Sequence, residues 1–155
     1  MLEVGDRAPA FKLPDQDGNP VSLRDFAGRT VVLYFYPRAN TPGCTTQACG
    51  IRDRKPEYDA AGAVVLGVSP DEVADIATFR DTQHLNFTLL ADADHAVAET
   101  YGTWAEKSMY GRKYMGVQRA TFIIDGNGRI ADVIPKATPK THDRLVLDAL
   151  ASLAG

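Results

Sequence analysis

The sequence predicts an α/β sandwich, a central mixed β-sheet flanked by helices. Three observations carry this. "TVVLYFY" (Thr30–Tyr36) and "AVVLGV" (Ala63–Val68) are unbroken apolar runs rich in β-branched residues, the pattern of strands buried on both faces. Each is followed by a stretch with helix signals. "RATFIIDGNGRIADVI" (119–134) holds a hairpin signature, "DGNG", between two more apolar runs. Strand–helix–strand–helix, then a hairpin and a last helix, requires parallel pairing at the crossovers and antiparallel pairing at the hairpin.

The elements follow in order. "DQDGNP" (Asp15–Pro20) reads as a turn between two short strands. "CTTQACGIRDRKPEYDAAG" (44–62) reads as one helix, weakened by Gly50 and closed near Gly62. In "SPDE", Ser69 can cap a helix, Pro70 suits its first position and Glu72 completes a capping box. Val73, Ile76 and Phe79 follow at helical spacing. "NFTLLAD" (86–92) is a strand, and a short helix begins near His95. "THDRLVLDALASLAG" is a closing helix with Leu145, Leu147, Leu150 and Leu153 on its apolar surface. Trp104 and the nearby tyrosines Tyr101, Tyr110 and Tyr114 are candidates for lining a site or for packing, and the stretch 104–117 carries no clear element signal. The thioredoxin-like fold has this order of elements.

The length suits one domain over residues 1–155, with enough apolar residues for a core that needs no disulfide or metal. The net charge of −3, with Lys and Arg scattered, argues against nucleic acid. "MLEVGDRAPAFKL" has no apolar signal core, and no stretch reaches membrane-spanning length. A soluble cytoplasmic protein with no membrane partner is expected.

The two cysteines, Cys44 and Cys49, lie five residues apart in "YFYPRANTPGCTTQACG" (34–50). Cys44 follows "TPG" and therefore sits near a helix start, beyond the end of a buried strand. Ligands bind at such strand ends, and a helix start favours negative charge and hence a thiolate. Within an intact helix, residues five apart are separated by roughly 8.7 Å between Cα atoms, from the rise and rotation per residue. A disulfide needs about 4.4–6.8 Å. The pair closes only if the helix unwinds, which Gly50, Thr45 and Thr46 make easier. The spacing implies a switch between a reduced helix and an oxidised, locally unfolded segment. Other readings stay open here. A buried cysteine is often only a small hydrophobe. Zinc needs four ligands, and His84, His95 and His142 are far apart in the chain. A thioredoxin-type reductase would carry Cys-x-x-Cys, whereas four residues intervene here. The histidines are expected in solvated or hydrogen-bonded positions.

"YFYPRANTPGCTTQACGIRD" resembles the active-site segment of peroxiredoxins, most closely the Q-type group, also called bacterioferritin comigratory proteins. The signature Pro-x-x-x-Thr-x-x-Cys falls on Pro37, Thr41 and Cys44. "GDRAPAFKLPDQDG", "GVSPD" and "YGTWAEKSMYGRKYMGVQRATFIID" extend the resemblance over nearly the whole chain. It implies a thioredoxin-like fold and a thiol peroxidase, with Cys44 as peroxidatic and Cys49 as resolving cysteine. Arg119, in "VQRATFIID", matches the family's active-site arginine. Gln47 stands where relatives often carry Glu, which removes a negative charge three residues after Cys44.

On this reading the Cys44 thiolate attacks a hydroperoxide and becomes a sulfenic acid. Arg119 stabilises the thiolate and the charge developing on the peroxide oxygens. Thr41 orients the peroxide, and Pro37 shields the sulfenic acid. Cys49 then forms an intramolecular disulfide that thioredoxin, or glutaredoxin, reduces. Hydrogen peroxide and organic hydroperoxides are both candidate substrates. No cofactor or metal is implied, and a monomer suffices. Two other readings compete: a redox sensor or thiol-switched binding protein using the same disulfide, and a one-cysteine peroxidase in which Cys49 is inert.

Overall fold

A computed structural model describes residues 1–154. Strand β1 (Lys12–Pro14) pairs antiparallel with β2 (Pro20–Ser22) across the expected turn, and a 3-10 turn follows at Leu23–Phe26. The main sheet is built from β3 (Thr30–Phe35), β4 (Ala63–Ser69), β5 (Thr88–Ala91), β8 (Ala120–Ile124) and β9 (Ile130–Ile134). Its order is β5-β4-β3-β8-β9, with β3 parallel to β4, β4 parallel to β5, and β8 antiparallel to both β3 and β9. The sheet is mixed, as expected. Between these strands run α1 (Pro42–Asp53), α2 (Lys55–Ala60), α3 (Val73–Gln83) and α4 (Ala96–Tyr101), and α5 (His142–Ala154) closes the described chain.

Strand β3 shows why the apolar runs are unbroken. Alternate side chains face opposite sides. Val32 and Tyr34, with Tyr36 just beyond, join a core with Ala48, Ile51, Phe79, Val146 and Leu150, from α1, α3 and α5. Val31, Leu33 and Phe35 join another with Phe11, Ala98, Tyr101 and Phe122, beneath the N-terminal segment and α4. Gly67 pairs with Tyr34 in the sheet, and a Cβ there would stand 2.9 Å from the Tyr34 ring. Only glycine leaves room for that phenol.

Four expectations need correction. The helix expected over 44–62 is two helices, broken at Arg54 (φ −107°, ψ 14°) rather than weakened at Gly50. Pro56 is the cause: it has no N–H for the carbonyl of Arg52, four residues back. Asn86 Nδ2 donates to that carbonyl instead, at 3.2 Å. Ser69 does not cap α3. It is the buried end of β4, paired with Ala91, and the helix begins at Val73 with Glu72 at its cap position making no side-chain cap bond. Ladder pairing has outcompeted the cap. The stretch 104–117, without an element signal in the sequence, is a hairpin of β6 (Trp104–Met109) and β7 (Arg112–Val117). Its turn residues Tyr110 and Gly111 both have positive φ, 52° and 77°. That geometry favours Asn-Gly, so a tyrosine hides the turn from a sequence reading. In α5 the buried stripe is His142, Val146 and Leu150, with Leu147 packed beside it; Leu145 and Leu153 are exposed.

Candidate active site

The site lies where β3 runs into α1. Tyr36 makes one more ladder bond, its N–H donating to the Val68 carbonyl at 3.0 Å. Half-buried Pro37 follows and has no N–H to continue. The loop passes through Asn40 at φ 62° and enters α1 at Pro42. Asp71 fixes this loop from the β4–α3 connection: its Oδ2 accepts the Ala39 N–H at 2.8 Å. Thr41 occupies the helix cap position but makes no cap bond. Its hydroxyl donates to the Arg38 carbonyl at 2.8 Å, which leaves its lone pairs to accept from another donor.

Cys44 is the third residue of α1 and only 2% exposed. Both cysteines are free thiols on one continuous helix. The helix start supplies backbone N–H groups and the positive end of the dipole. Arg119 supplies a full charge. It precedes β8, and its backbone is tied down by the Ala137 N–H, which donates to its carbonyl at 2.8 Å. Its Nη1 stands 3.4 Å from Cys44 Sγ and donates to Gln47 Oε1 at 2.6 Å. Gln47 is one helical turn past Cys44 and fully buried. As an amide it orients the guanidinium without neutralising it, where a glutamate would form an ion pair. Gly43 completes the fit: a Cβ there would lie 3.2 Å from Arg119 Nη2.

Buried aromatic side chains pack beside Cys44, with Lys107 near Arg119. Burial drives the phenols of Tyr34 and Tyr36 well above their usual range, so both are neutral. His142, behind Tyr34, is hydrogen-bonded to Thr121 Oγ1 at 2.6 Å, and burial pushes its pKa down to about 4. On β6, Lys107 is half-buried. Burial lowers its pKa and the like charge of Arg119 lowers it further, against a smaller opposing pull from Cys44. Its methylenes and the Tyr114 ring lie over Gly116, 3.3 and 3.5 Å from where a Cβ would be.

Of the residues singled out in the sequence, Cys44 and Arg119 come into direct contact. Pro37 and Thr41 sit in the loop that delivers Cys44. Cys49 is partly exposed and turned toward α3, its thiol donating to Gln83 Oε1 at 3.6 Å. Tyr101 is buried in the core, Tyr110 is 99% exposed at the hairpin tip, and Trp104 stacks on His95 at 3.8 Å between ring centres. Sequence reasoning missed Gly43, Asp71 and Lys107. Gly43 left a local signal as the glycine directly before the cysteine, whereas Asp71 and Lys107 lie within "GVSPD" and "YGTWAEKSMYGRKYMGVQRATFIID", where nothing local marks their side chains. Among the described residues, no group of three His, Cys, Asp or Glu side chains could hold a metal ion. No helix among them is long and apolar enough to cross a membrane.

A thioredoxin-like sheet with a buried thiol at a helix start, facing a guanidinium, defines a class of thiol-redox enzymes. The AhpC/TSA family model matches residues 4–133. The chain belongs to that family and is a peroxiredoxin, a thiol peroxidase. It is 52% identical over 152 residues to the putative peroxiredoxin bcp of Haemophilus influenzae, covering 98% of both chains. It is 49% identical over 149 residues to peroxiredoxin Bcp of Escherichia coli K12, covering 96% of both. The solved bacterioferritin comigratory protein of Xanthomonas campestris, described for its alkyl peroxide reduction activity, superposes with a TM-score of 0.88 at 36% identity. That match covers 94% of this chain and 92% of the other.

Proposed function

We propose that Cys44 is the peroxidatic cysteine and Cys49 the resolving one, within a single domain spanning 1–155. The observation that carries this is the Arg119 guanidinium, 3.4 Å from the Cys44 sulfur and bound to buried Gln47. A fixed cation at a thiol stabilises the thiolate nucleophile. It also meets the negative charge that develops on the peroxide oxygens as the O–O bond breaks. The Cys44 thiolate attacks one oxygen in line, and the other departs as hydroxide or alkoxide, which a proton converts to water or alcohol. Cys44 is left as a sulfenic acid. The Thr41 hydroxyl can orient the incoming peroxide. Pro37, with no N–H to offer, limits water at the sulfenic acid.

In the second step Cys49, as a thiolate, attacks the sulfenic sulfur. An S–S bond forms, the S–O bond breaks, and the departing hydroxide takes up the proton that Cys49 released. Two thiols five residues apart on an α-helix cannot reach bonding distance, so α1 unwinds first. A dithiol protein, thioredoxin or glutaredoxin, then reduces the disulfide by thiol–disulfide exchange. Substrates are hydrogen peroxide and organic hydroperoxides, the latter by likeness to the X. campestris protein's alkyl peroxide reduction. The intramolecular disulfide needs no second subunit, which supports a monomer working in the reducing cytoplasm.

The test is mass spectrometry of both cysteines after stoichiometric peroxide, paired with peroxide consumption in a thioredoxin-recycling assay. A Cys44–Cys49 disulfide with sustained consumption is expected. A disulfide without turnover would instead mark a sensor. A Cys44 sulfenic acid that never passes to Cys49, with full turnover in Cys49→Ser, would mean a one-cysteine enzyme.

A further inference from the structure

Helix α1 is fastened to its neighbours very differently along its length. Cys44, Gln47, Ala48 and Ile51 face the core. Cys49 and Arg52, three residues apart and so on one helix face, both reach one residue: Gln83, the last of α3. The Cys49 thiol donates to the Gln83 side-chain oxygen at 3.6 Å. Arg52 Nη1 donates to the Gln83 backbone carbonyl at 2.6 Å. Directly beyond, Asn86 Nδ2 returns a bond to the Arg52 carbonyl at 3.2 Å. The end of α3 thus grips the second half of α1 at three points, and one of them is the Cys49 sulfur itself.

We propose that Gln83 is a positioning residue for Cys49, a latch that holds the thiol against α3 and sets the rate at which it is released to the sulfenic acid. The proposal rests on the resolving role of Cys49. In the folded helix the Gln83 amide points the sulfur toward α3. The S–H···O bond must break before Cys49 can travel to Cys44, so its strength adds to the barrier for unwinding. The latch has a chemical consequence. While Cys44 waits as a sulfenic acid, a second hydroperoxide can oxidise it to the sulfinic acid, leaving water or alcohol. Gln83 therefore sets how much peroxide the enzyme tolerates before it over-oxidises.

Gln83→Met keeps the length and helix propensity of the side chain and removes the acceptor. Gln83→Glu restores an acceptor oxygen. Rapid quench and mass spectrometry after one equivalent of hydrogen peroxide separate loss of the Cys44 thiol from appearance of the disulfide. In Gln83→Met the disulfide should appear about two- to five-fold faster, the effect of losing one weak hydrogen bond, with the rate of Cys44 oxidation unchanged. Excess peroxide should then leave a smaller sulfinic fraction, and Gln83→Glu should return disulfide formation to the original rate or slower. A general structural role would not produce that split and rescue. An unchanged or slower disulfide rate in Gln83→Met overturns the latch and leaves the resolving role intact. If no Cys44–Cys49 disulfide forms in the unsubstituted protein either, the latch and the resolving role fall together.

Discussion

The two halves of α1 carry one cysteine each, and the two thiols are held by different kinds of force. The first half delivers Cys44 into a packed interior, with Arg119 beside its sulfur and Gln47 holding the guanidinium. The second half keeps Ala48 and Ile51 in the core, but its Cys49–Arg52 face is tied down by polar contacts near the surface. Gln83 and Asn86 hold it from α3 and the loop beyond, and α5 holds the segment that follows, where Arg54 Nε meets Asp143 Oδ2 at 2.6 Å. The Asp143 side chain also lies against Gly50, 3.2 Å from where a Cβ would be. Close packing resists rearrangement in a way that exchangeable hydrogen bonds do not, because water replaces a broken hydrogen bond but not a lost van der Waals partner. On this comparison the helix is expected to give way at the Cys49–Arg52 face, so that Cys49 moves toward Cys44.

The largest effects should fall on the fixed half. Cys44→Ser should abolish peroxide consumption, whereas Cys49→Ser should still form the Cys44 sulfenic acid once per chain and then fail to turn over with thioredoxin. A dimedone-type trap and a recycling assay distinguish the two. Arg119→Met should slow oxidation of Cys44 by about 10²–10³-fold, the usual cost of removing one preorganised charge-stabilising donor. Disulfide formation from a preformed sulfenic acid should change far less. Equal losses in both steps would break the comparison.

The support from α5 should be acid-sensitive. His142 heads that helix, beside Asp143, and titrates near 4 in the folded protein against 6.5 when exposed. The unfolded chain therefore binds the proton first. Stability is fully present above about pH 6.5 and falls as pH drops toward 4, by about 3 kcal/mol for a shift of this size. Denaturant unfolding between pH 4 and 7 measures it, and His142→Asn should flatten that slope. The smallest effect sharpens the claim of unwinding. Thr46 is exposed, and its hydroxyl bonds back to the Pro42 carbonyl at 3.0 Å. Thr46→Ala should raise helix propensity and slow disulfide formation by about two-fold, while Cys44 oxidation holds its rate.

How much of this was legible in the sequence follows from what each feature depends on. The sheet was legible because β3 and β4 are buried on both faces and read as unbroken apolar runs. The cysteine at the helix start was legible because Pro42 and Gly43 announce the turn. Arg119 could be placed only through resemblance, since nothing local in "VQRATF" says that a residue 75 positions away lies at hydrogen-bonding distance. Asp71 and Gln83 were invisible for the same reason: each acts through a partner remote in sequence. The β6–β7 hairpin escaped because Tyr110 adopts a backbone geometry that favours asparagine or glycine. The break at Arg54 has a local cause in the sequence, Pro56, because proline inside a helical pattern ends the helix.

The most direct test of the two-halves account is amide hydrogen exchange, followed by mass spectrometry, on the reduced chain and on the chain oxidised by one equivalent of peroxide. The account predicts that on oxidation protection collapses over the second half of α1 and the Gln83–Asn86 segment that grips it, while β3 and β8 keep theirs. A Cys44–Cys49 disulfide formed with α1 still protected, or with β3 losing protection instead, would contradict it.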